Sequence, residues 1–166
     1  MPIKTYPKGS KERLSTNFHA YEFDCPCSRC KTTKIDTTLV AGLQAIRNRT
    51  GKELYPNAYR CPEHNAEVPN AAKKSKHMDG TAADISVKGV APSTVAKIAE
   101  EVGFLGIGLY DTFVHVDTRT SKFFWKGHEQ KPVSSFVGVA NTTTADELRT
   151  ILESIAKILK DAGFYK

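Results

Sequence analysis

Two histidines and one aspartate are the residues of this chain best suited to hold a metal ion. His77 and Asp84 lie seven residues apart, and His115 lies in a second short stretch. Two imidazoles and a carboxylate, with water in a fourth position, are a usual ligand set of catalytic zinc. Zinc held in this way provides a Lewis acid and a polarised water, which suits the hydrolysis of an amide.

The sequence around His77 and Asp84 indicates how the two residues are held. Gly80 lies between them, and glycine disfavours the interior of a helix. Residues 83–87 alternate between apolar and polar types, as at the start of a strand. We therefore expect His77 in a loop and Asp84 at the entry of a strand.

Residues 113–117 alternate strictly and predict another strand. In a strand, His115 and Asp117 point to the same face, about 6–7 Å apart along the chain. His115 would then face the metal. A turn at residues 111–112 joins this strand to one predicted over 104–110, so the two are expected to form a hairpin.

Four short segments follow one another in a particular order along the chain. They are 59–65 (Tyr-Arg-Cys-Pro-x-His-Asn), 75–85 (Ser-x-His-x-x-Gly-x-Ala-x-Asp-Ile), 106–110 (Gly-Ile-Gly-Leu-Tyr) and 113–117 (Phe-Val-His-Val-Asp). Together they resemble the zinc D-Ala-D-Ala carboxypeptidase family. That family includes the L-alanyl-D-glutamate endopeptidases of bacteriophage lysis enzymes, and it shares its metal-site fold with the Hedgehog signalling domain.

The resemblance implies roles for individual residues. His77, Asp84 and His115 match the zinc ligands of the family. Arg60 matches an arginine that grips a carboxylate of the substrate. Ser75 stands two residues before the first ligand, where its hydroxyl could bind substrate or a neighbouring backbone group.

Two departures from the family pattern bear on catalysis. The family usually reads Ser-Gly-Tyr-Arg where residues 57–60 read Asn-Ala-Tyr-Arg, so the turn before the arginine can differ. Several relatives place a catalytic acid three residues before the last histidine, where this chain has Thr112, which cannot act as a general base. Asp111 and Asp117 are the nearest carboxylates. The sequence favours Asp117 because of its face, and a role in orienting the last histidine is the alternative.

The four cysteines of the chain form a second candidate metal site. Cys25, Cys27 and Cys30 lie in one short stretch, and Cys61 lies beside the arginine. The spacing of Cys27 and Cys30 is that of a zinc site, and four thiolates close a structural site if Cys61 approaches them. One or two disulfides and free thiols are the alternatives, of which disulfides are rare in the cytoplasm. We therefore expect one catalytic zinc ion, with a second, structural ion as an open alternative.

The length and net charge of the chain limit the kinds of partner that it can have. The chain has 166 residues, enough for one domain with a hydrophobic core. A formal net charge of +6 suits an anionic polymer such as cell wall, lipid head groups or nucleic acid, or is simply a solvated basic surface. We expect no nucleic-acid partner, because the three candidate zinc ligands would then have no role.

The sequence also bears on where the protein acts. No apolar run approaches the length of a transmembrane helix. The first thirteen residues are basic but lack the apolar core of a signal peptide. We therefore expect a monomer that is made in the cytoplasm and acts on the cell wall after release. A phage or prophage lysis enzyme fits this pattern, because a separate pore-forming protein releases such enzymes.

Hydrophobic periodicity predicts the main elements. Helices are predicted over 36–49 and 92–102, and a short strand broken by a proline over 54–60. The fold class is α+β, in which helices flank a small antiparallel sheet that carries the zinc site. The expected segments are a flexible N-terminus over 1–17, a zinc peptidase domain over 18–128, a linker over 129–142 and a C-terminal amphipathic helix over 143–166.

These features predict an enzyme that hydrolyses a peptide bond in the stem peptide of peptidoglycan. The resemblance favours the bond between L-Ala and D-Glu, as cut by lysis endopeptidases. D-Ala-D-Ala carboxypeptidase activity is the nearest alternative. A non-catalytic zinc-containing binding domain, as in Hedgehog, is the third, and the missing acid at position 112 keeps it open.

Overall fold

The computed structural model describes residues 3–69 and 71–137. Contacts between residues divide the chain into two compact units, Met1–Phe136 and Val137–Lys166. The fold below is that of the first unit. The helix predicted over 143–166 lies outside the described residues.

Helices and strands alternate irregularly along the first unit. The helices are α1 (Thr37–Thr50), α2 (Pro62–Glu67), α3 (Lys76–Asp79) and α4 (Pro92–Glu101), with a 3-10 helix over Ala20–Phe23. The strands are β1 (Ile3–Pro7), β2 (Thr32–Asp36), β3 (Leu54–Asn57), β4 (Ala82–Val87), β5 (Gly106–Leu109), β6 (Val114–Asp117), β7 (Phe123–Lys126) and β8 (Lys131–Val133). Within the described residues, no helix is both long and apolar enough to cross a membrane.

The strands form two sheets. β1 and β2 make an antiparallel pair, and the other six strands follow the order β3-β4-β6-β5-β7-β8. All neighbours in the larger sheet are antiparallel except β5 and β7, which are parallel. The predicted α+β class is therefore present, but the sheet that carries the candidate site is large and mixed, not small and antiparallel. The sequence pattern does not predict this parallel pair, because β6 lies between β5 and β7 in the chain.

The larger sheet and two helices enclose the core. The predicted helix over 36–49 is α1, which begins where the Asp36 carboxylate accepts a hydrogen bond from Thr38 N at 2.9 Å. It ends at Gly51, which adopts a left-handed φ of 62°. The helix predicted over 92–102 is α4. Fully buried side chains from both helices and the sheet include Leu39, Leu43, Ile46, Ile85, Val95, Ile107, Val114 and Val116.

Strands lie on both sides of the segment 18–128. Residues 3–7, expected to be loose, form β1, and Tyr6 joins the core. Within the expected linker, residues 131–133 form β8 against β7, and the Phe136 ring packs 5.6 Å from the ring of Phe124. These segments are short and polar, so their structure depends on pairing with distant strands rather than on local pattern.

Candidate metal centre

Strand register brings Asp84 and His115 together. The two residues are direct partners in the antiparallel pair of β4 and β6. Directly opposite residues of such a pair share one face of the sheet, with Cβ atoms about 4.5–5.5 Å apart. The Asp84 carboxylate accordingly lies 2.9 Å from Nδ1 of His115.

His77 reaches the same place from α3, a single helical turn. The Ser75 hydroxyl accepts a hydrogen bond from His77 N at the start of the turn. Gly80 ends it with a left-handed φ of 73°, and a Cβ there would collide with the backbone carbonyl of Lys34. His77 was expected in a loop. The glycine that disfavours a helix interior instead terminates a helix too short for apolar periodicity to reveal.

Three acceptor atoms converge at this point. Nε2 of His77 lies 3.3 Å from Nδ1 of His115 and 3.4 Å from the nearer oxygen of Asp84. Donors arranged tetrahedrally at 2.0–2.1 Å from a zinc ion are separated by about 3.3–3.4 Å. Two of the three donor separations match this spacing, and the third, between His115 Nδ1 and the Asp84 oxygen, is shorter at 2.9 Å.

The remaining ring nitrogens fix which atoms face inward. Nδ1 of His77 donates to the backbone carbonyl of Ala58 at 2.7 Å, and Nε2 of His115 donates to the Asp117 carboxylate at 3.2 Å. In its neutral form, each imidazole therefore presents its other nitrogen as a lone pair. Two lone pairs and a carboxylate oxygen within 3.4 Å require a cation or a proton between them, so the donor set fits a metal ion.

Ionisation in the site follows from these contacts. Burial opposes ionisation of Asp84, but hydrogen bonds from His115 and His77 outweigh it and lower the pKa of this carboxyl. Burial also disfavours a charged His115, but its bonds to Asp117 and Asp84 raise the pKa of the imidazole. In the metal-free protein, the two carboxylates therefore favour protonation of His115.

The affinity of this site for zinc is expected to rise with pH. Because the two carboxylates beside it raise the pKa of the His115 imidazole, a metal ion must compete with a proton for this ring below that pKa. Loss of one proton makes the apparent affinity fall by up to about tenfold for each pH unit below that pKa. Calorimetric titration of zinc into protein stripped at this site with a weak chelator would measure the slope. A pH-independent affinity from about pH 6 to 8 would contradict the expected protonation.

Asp117 lies behind His115, that is, against Nε2 of the imidazole, whereas His77 and Asp84 lie against Nδ1. The residue is fully buried, and Arg119 clamps its carboxylate through Nε at 2.8 Å and Nη2 at 2.6 Å. Gly106 lies opposite on β5, where any side chain would strike the carboxylate. Burial raises the pKa of Asp117, but the bonds from Arg119 and His115 dominate and lower it. This placement favours the alternative role of orienting the histidine over the role of general base.

The donor atoms lie on the wall of a cleft with a volume of about 710 Å³. Arg60 also lines the cleft, and its Nη2 stands 3.9 Å from Asp84. Ser75 lines it as well as capping α3. Asp111, the other candidate base, is exposed and is not among the described residues that line the cleft.

Aromatic side chains form part of the cleft wall. Trp125 Nε1 donates to the Tyr110 hydroxyl at 3.1 Å, and the indole ring lies 5.3 Å from the His115 ring. The His128 ring lies 5.0 Å from the Tyr110 ring. Gly108 makes room for the indole, since a Cβ there would strike it. The glycines of the predicted strand were the available signal, but the parallel pairing of β5 and β7 decides what covers them.

The four cysteines also come together and form a second cluster, distinct from the triad. All are free thiols, and their sulfur atoms lie within 4.8 Å of one another. The pKa of Cys27 is lowered to about 5, chiefly by a backbone hydrogen bond from Cys30. Burial raises the pKa of Cys30 to about 11 and that of Cys61 to about 12. Without a cation, Cys27 is thus the thiolate of the cluster at neutral pH, whereas Cys30 and Cys61 keep their protons.

Fold and site are those of an α+β protein with a candidate metal centre on the wall of a cleft. The family model described as Peptidase M15 matches residues 16–117, well over half of the chain, and includes the triad and all four cysteines. The chain belongs to the Peptidase M15 family and is therefore a peptidase. Peptidases of this family are zinc-dependent. A search of curated proteins finds no match.

Proposed function

We propose that this protein is a zinc peptidase that hydrolyses a peptide bond in the stem peptide of peptidoglycan. The observation that carries the proposal is the convergence of lone pairs from His77 and His115 with the Asp84 carboxylate on the wall of an open cleft. A zinc ion held by these three residues supplies Lewis acidity toward the scissile carbonyl and the attacking water.

The protein's own residues position the reaction. The Ala58 carbonyl and the Asp117 carboxylate hold the two imidazoles in the orientations that ligation requires. The Arg60 guanidinium lies at the cleft wall beside Asp84, where it can bind a carboxylate of the substrate. Its backbone N–H donates to the His77 carbonyl at 3.2 Å, so the anion-binding group and the metal ligand are held together.

The charge of the cleft favours an anionic substrate. The described residues that line it include four cationic side chains and one carboxylate, that of Asp84, which is a candidate ligand. The cations are Arg60, Lys74, Lys76 and Arg119, the last of which is paired with the Asp117 carboxylate. A stem peptide with a free carboxylate beside the L-Ala–D-Glu bond matches this charge. We therefore favour the endopeptidase of a phage or prophage lysis system, acting on the wall after release from the cytoplasm.

Digestion of purified peptidoglycan by the zinc-loaded protein is expected to create new amino and carboxyl ends. Mass spectrometry of the products would place the cut. Release of the stem peptide with a new N-terminal glutamate supports the endopeptidase, whereas release of single D-Ala residues supports the carboxypeptidase alternative. Intact peptidoglycan despite bound zinc would contradict catalysis and favour the binding-domain alternative.

We propose His128 as the acceptor of the water proton. Asp117 is buried behind His115. Asp111 and His128 are both exposed, but only His128 lines the cleft, where it packs against Tyr110. An imidazole suits proton transfer near neutral pH.

Replacement of His128 by alanine is expected to lower kcat on the order of 10²-fold, the usual loss of a general base. Zinc content should stay unchanged, because His128 is outside the candidate ligand set. Steady-state hydrolysis of a soluble muropeptide would measure the change, with Asp111→Asn as the matched variant. A larger loss in Asp111→Asn than in His128→Ala would reverse the assignment.

A further inference from the structure

Two segments far apart in sequence bring four sulfur atoms together. Cys25, Cys27 and Cys30 follow the 3-10 helix, and Cys61 stands at the start of α2. The Sγ atom of Cys27 lies 3.4 Å from those of Cys25 and Cys61 and 3.5 Å from that of Cys30. The Sγ atoms of Cys25 and Cys61 lie 3.9 Å apart.

We propose that these four cysteines bind a second zinc ion, which is structural and which anchors the backbone segment that orients His77 and Arg60. Four thiolates at 2.3 Å from a tetrahedral zinc ion have sulfur atoms about 3.8 Å apart. The four sulfur–sulfur separations given above, 3.4–3.9 Å, are close to this value. Four protein ligands leave no open position, so the ion would be structural and not catalytic.

Groups around the sulfur atoms would stabilise a negatively charged cluster. Backbone N–H groups of Cys61 and His64 donate to sulfur atoms at 3.5 Å each. The Lys8 ammonium donates to the carbonyl of Cys25 at 2.7 Å and to the carbonyl of Cys27, and it lies 4.0 Å from the Cys30 sulfur. A zinc ion with four thiolates carries a net charge of about −2, which these donors and this cation partly offset.

The packing around Cys61 depends largely on the cysteines themselves. A small core, separate from the main one, consists of Cys25, Tyr59 and Cys61, with Cys27 and Cys30 packed against it. The one buried residue of α2 is Asn65. Few apolar contacts are therefore available to hold this part of the chain, and a metal cross-link would supply what is missing.

The same segment carries two contacts of the catalytic cleft. The Ala58 carbonyl fixes Nδ1 of His77, and the Arg60 N–H donates to the His77 carbonyl. Cys61 follows directly and is tied to the loop that begins at Cys25. Zinc bound by the cysteines would thus fix the position of residues 58–61 relative to α3. That helix carries His77, the candidate catalytic ligand.

Metal content of the full-length protein tests the second site apart from hydrolysis. Protein purified with zinc and a thiol reductant is expected to hold two zinc ions per chain, and His115→Ala, which removes a ligand of the first site, is expected to keep one. Titration of the native wild type with a mercurial should release one zinc ion as four thiols react. His115→Ala without zinc, reaction of the thiols without metal release, or the mass loss of a disulfide would each overturn the proposal.

A cysteine series tests the ligand role without relying on one variant. Cys30 is partly exposed, and Cys30→Ala is expected to weaken zinc binding while Cys30→His restores it, since three cysteines and a histidine form an established zinc site. Cobalt bound to His115→Ala should show thiolate-to-metal charge-transfer absorption. Equal zinc affinity in Cys30→Ala and wild type would remove Cys30 from the site. The zinc and cobalt readouts stay valid even if the protein cuts no peptidoglycan, so the two proposals can fail separately.

The positioning role predicts a coupling between the two sites. Cys30→Ala should lower the zinc affinity of the His77 site, measured by calorimetry, and raise KM for an anionic muropeptide because Arg60 is displaced. Cys30→His should return both values toward the wild type. Unchanged affinity and KM in Cys30→Ala that has lost its structural zinc would overturn the anchoring role.

Discussion

Replacement of His115 by alanine is expected to lower peptidoglycan hydrolysis by about 10³-fold or more. The change removes one of three donors that lie within 3.4 Å of one another, so the ion that supplies several kcal/mol of transition-state stabilisation is lost. Zinc analysis should show one ion fewer per chain. Hydrolysis is best followed by the release of new amino groups from purified peptidoglycan.

Two further variants separate loss of the ion from loss of the fold. Asp84→Asn keeps the side-chain volume and removes the charge, and it is expected to reduce activity to a similar degree. His19→Ala removes an imidazole that lies in neither candidate metal cluster and is expected to leave zinc content unchanged. Wild-type rates in His115→Ala, with its fold intact by circular dichroism, would refute the proposed metal centre.

Replacement of Asp117 by asparagine is expected to act through stability and metal affinity together. The carboxylate is fully buried between His115 and Arg119, and its loss leaves the guanidinium without its partner. Removing one member of a buried ion pair costs about 3 kcal/mol of unfolding free energy. Loss of the contact that orients a ligating histidine lowers metal affinity by about 10–100-fold.

The stability cost of Asp117→Asn should depend on pH in a definite direction. The pKa of Asp117 is lowered in the folded protein, so its contribution is fully present above the unfolded value of about 3.9. That contribution is lost as pH falls through the folded pKa. Urea unfolding of metal-free wild type and variant should therefore show a full difference at neutral pH that narrows below about pH 4.

Asp111→Asn is the matched control for this prediction. Asp111 is an exposed carboxylate six residues earlier in the chain, so its replacement should change stability by less than about 0.5 kcal/mol. Kinetics distinguish the two roles of Asp117. A positioning role predicts that saturating zinc restores much of the activity of Asp117→Asn, whereas a general base would stay lost at any zinc concentration.

Local pattern was sufficient for the main helices and for the hairpin before the last histidine. α1 begins after Asp36, which makes a capping hydrogen bond, and ends at Gly51, which adopts a left-handed conformation. Both features depend on neighbours in sequence. Strict alternation over 113–117 likewise places His115 and Asp117 on one face, and their side chains meet at 3.2 Å. Such features are predictable because the interacting groups lie within a few residues of each other.

Pairing between distant segments was not predictable in the same way. β1 and β8 contain few apolar residues. β5 pairs in parallel with β7, although β6 lies between them in the chain. A one-residue shift in register between β4 and β6 would turn His115 away from Asp84. No local pattern specifies that register, which follows from the burial of Ile85, Val114 and Val116 in the common core.

The sequence by itself determined the types and order of the candidate metal donors and, through the family resemblance, their assignment as zinc ligands. The tertiary structure decided which atom of each imidazole faces inward, because the Ala58 carbonyl and the Asp117 carboxylate come from other parts of the chain. It also decided that Asp117 lies behind the histidine, since the space for its carboxylate exists where Gly106 pairs opposite it. Residue type sets the available chemistry, whereas burial and strand register set the direction in which each side chain acts.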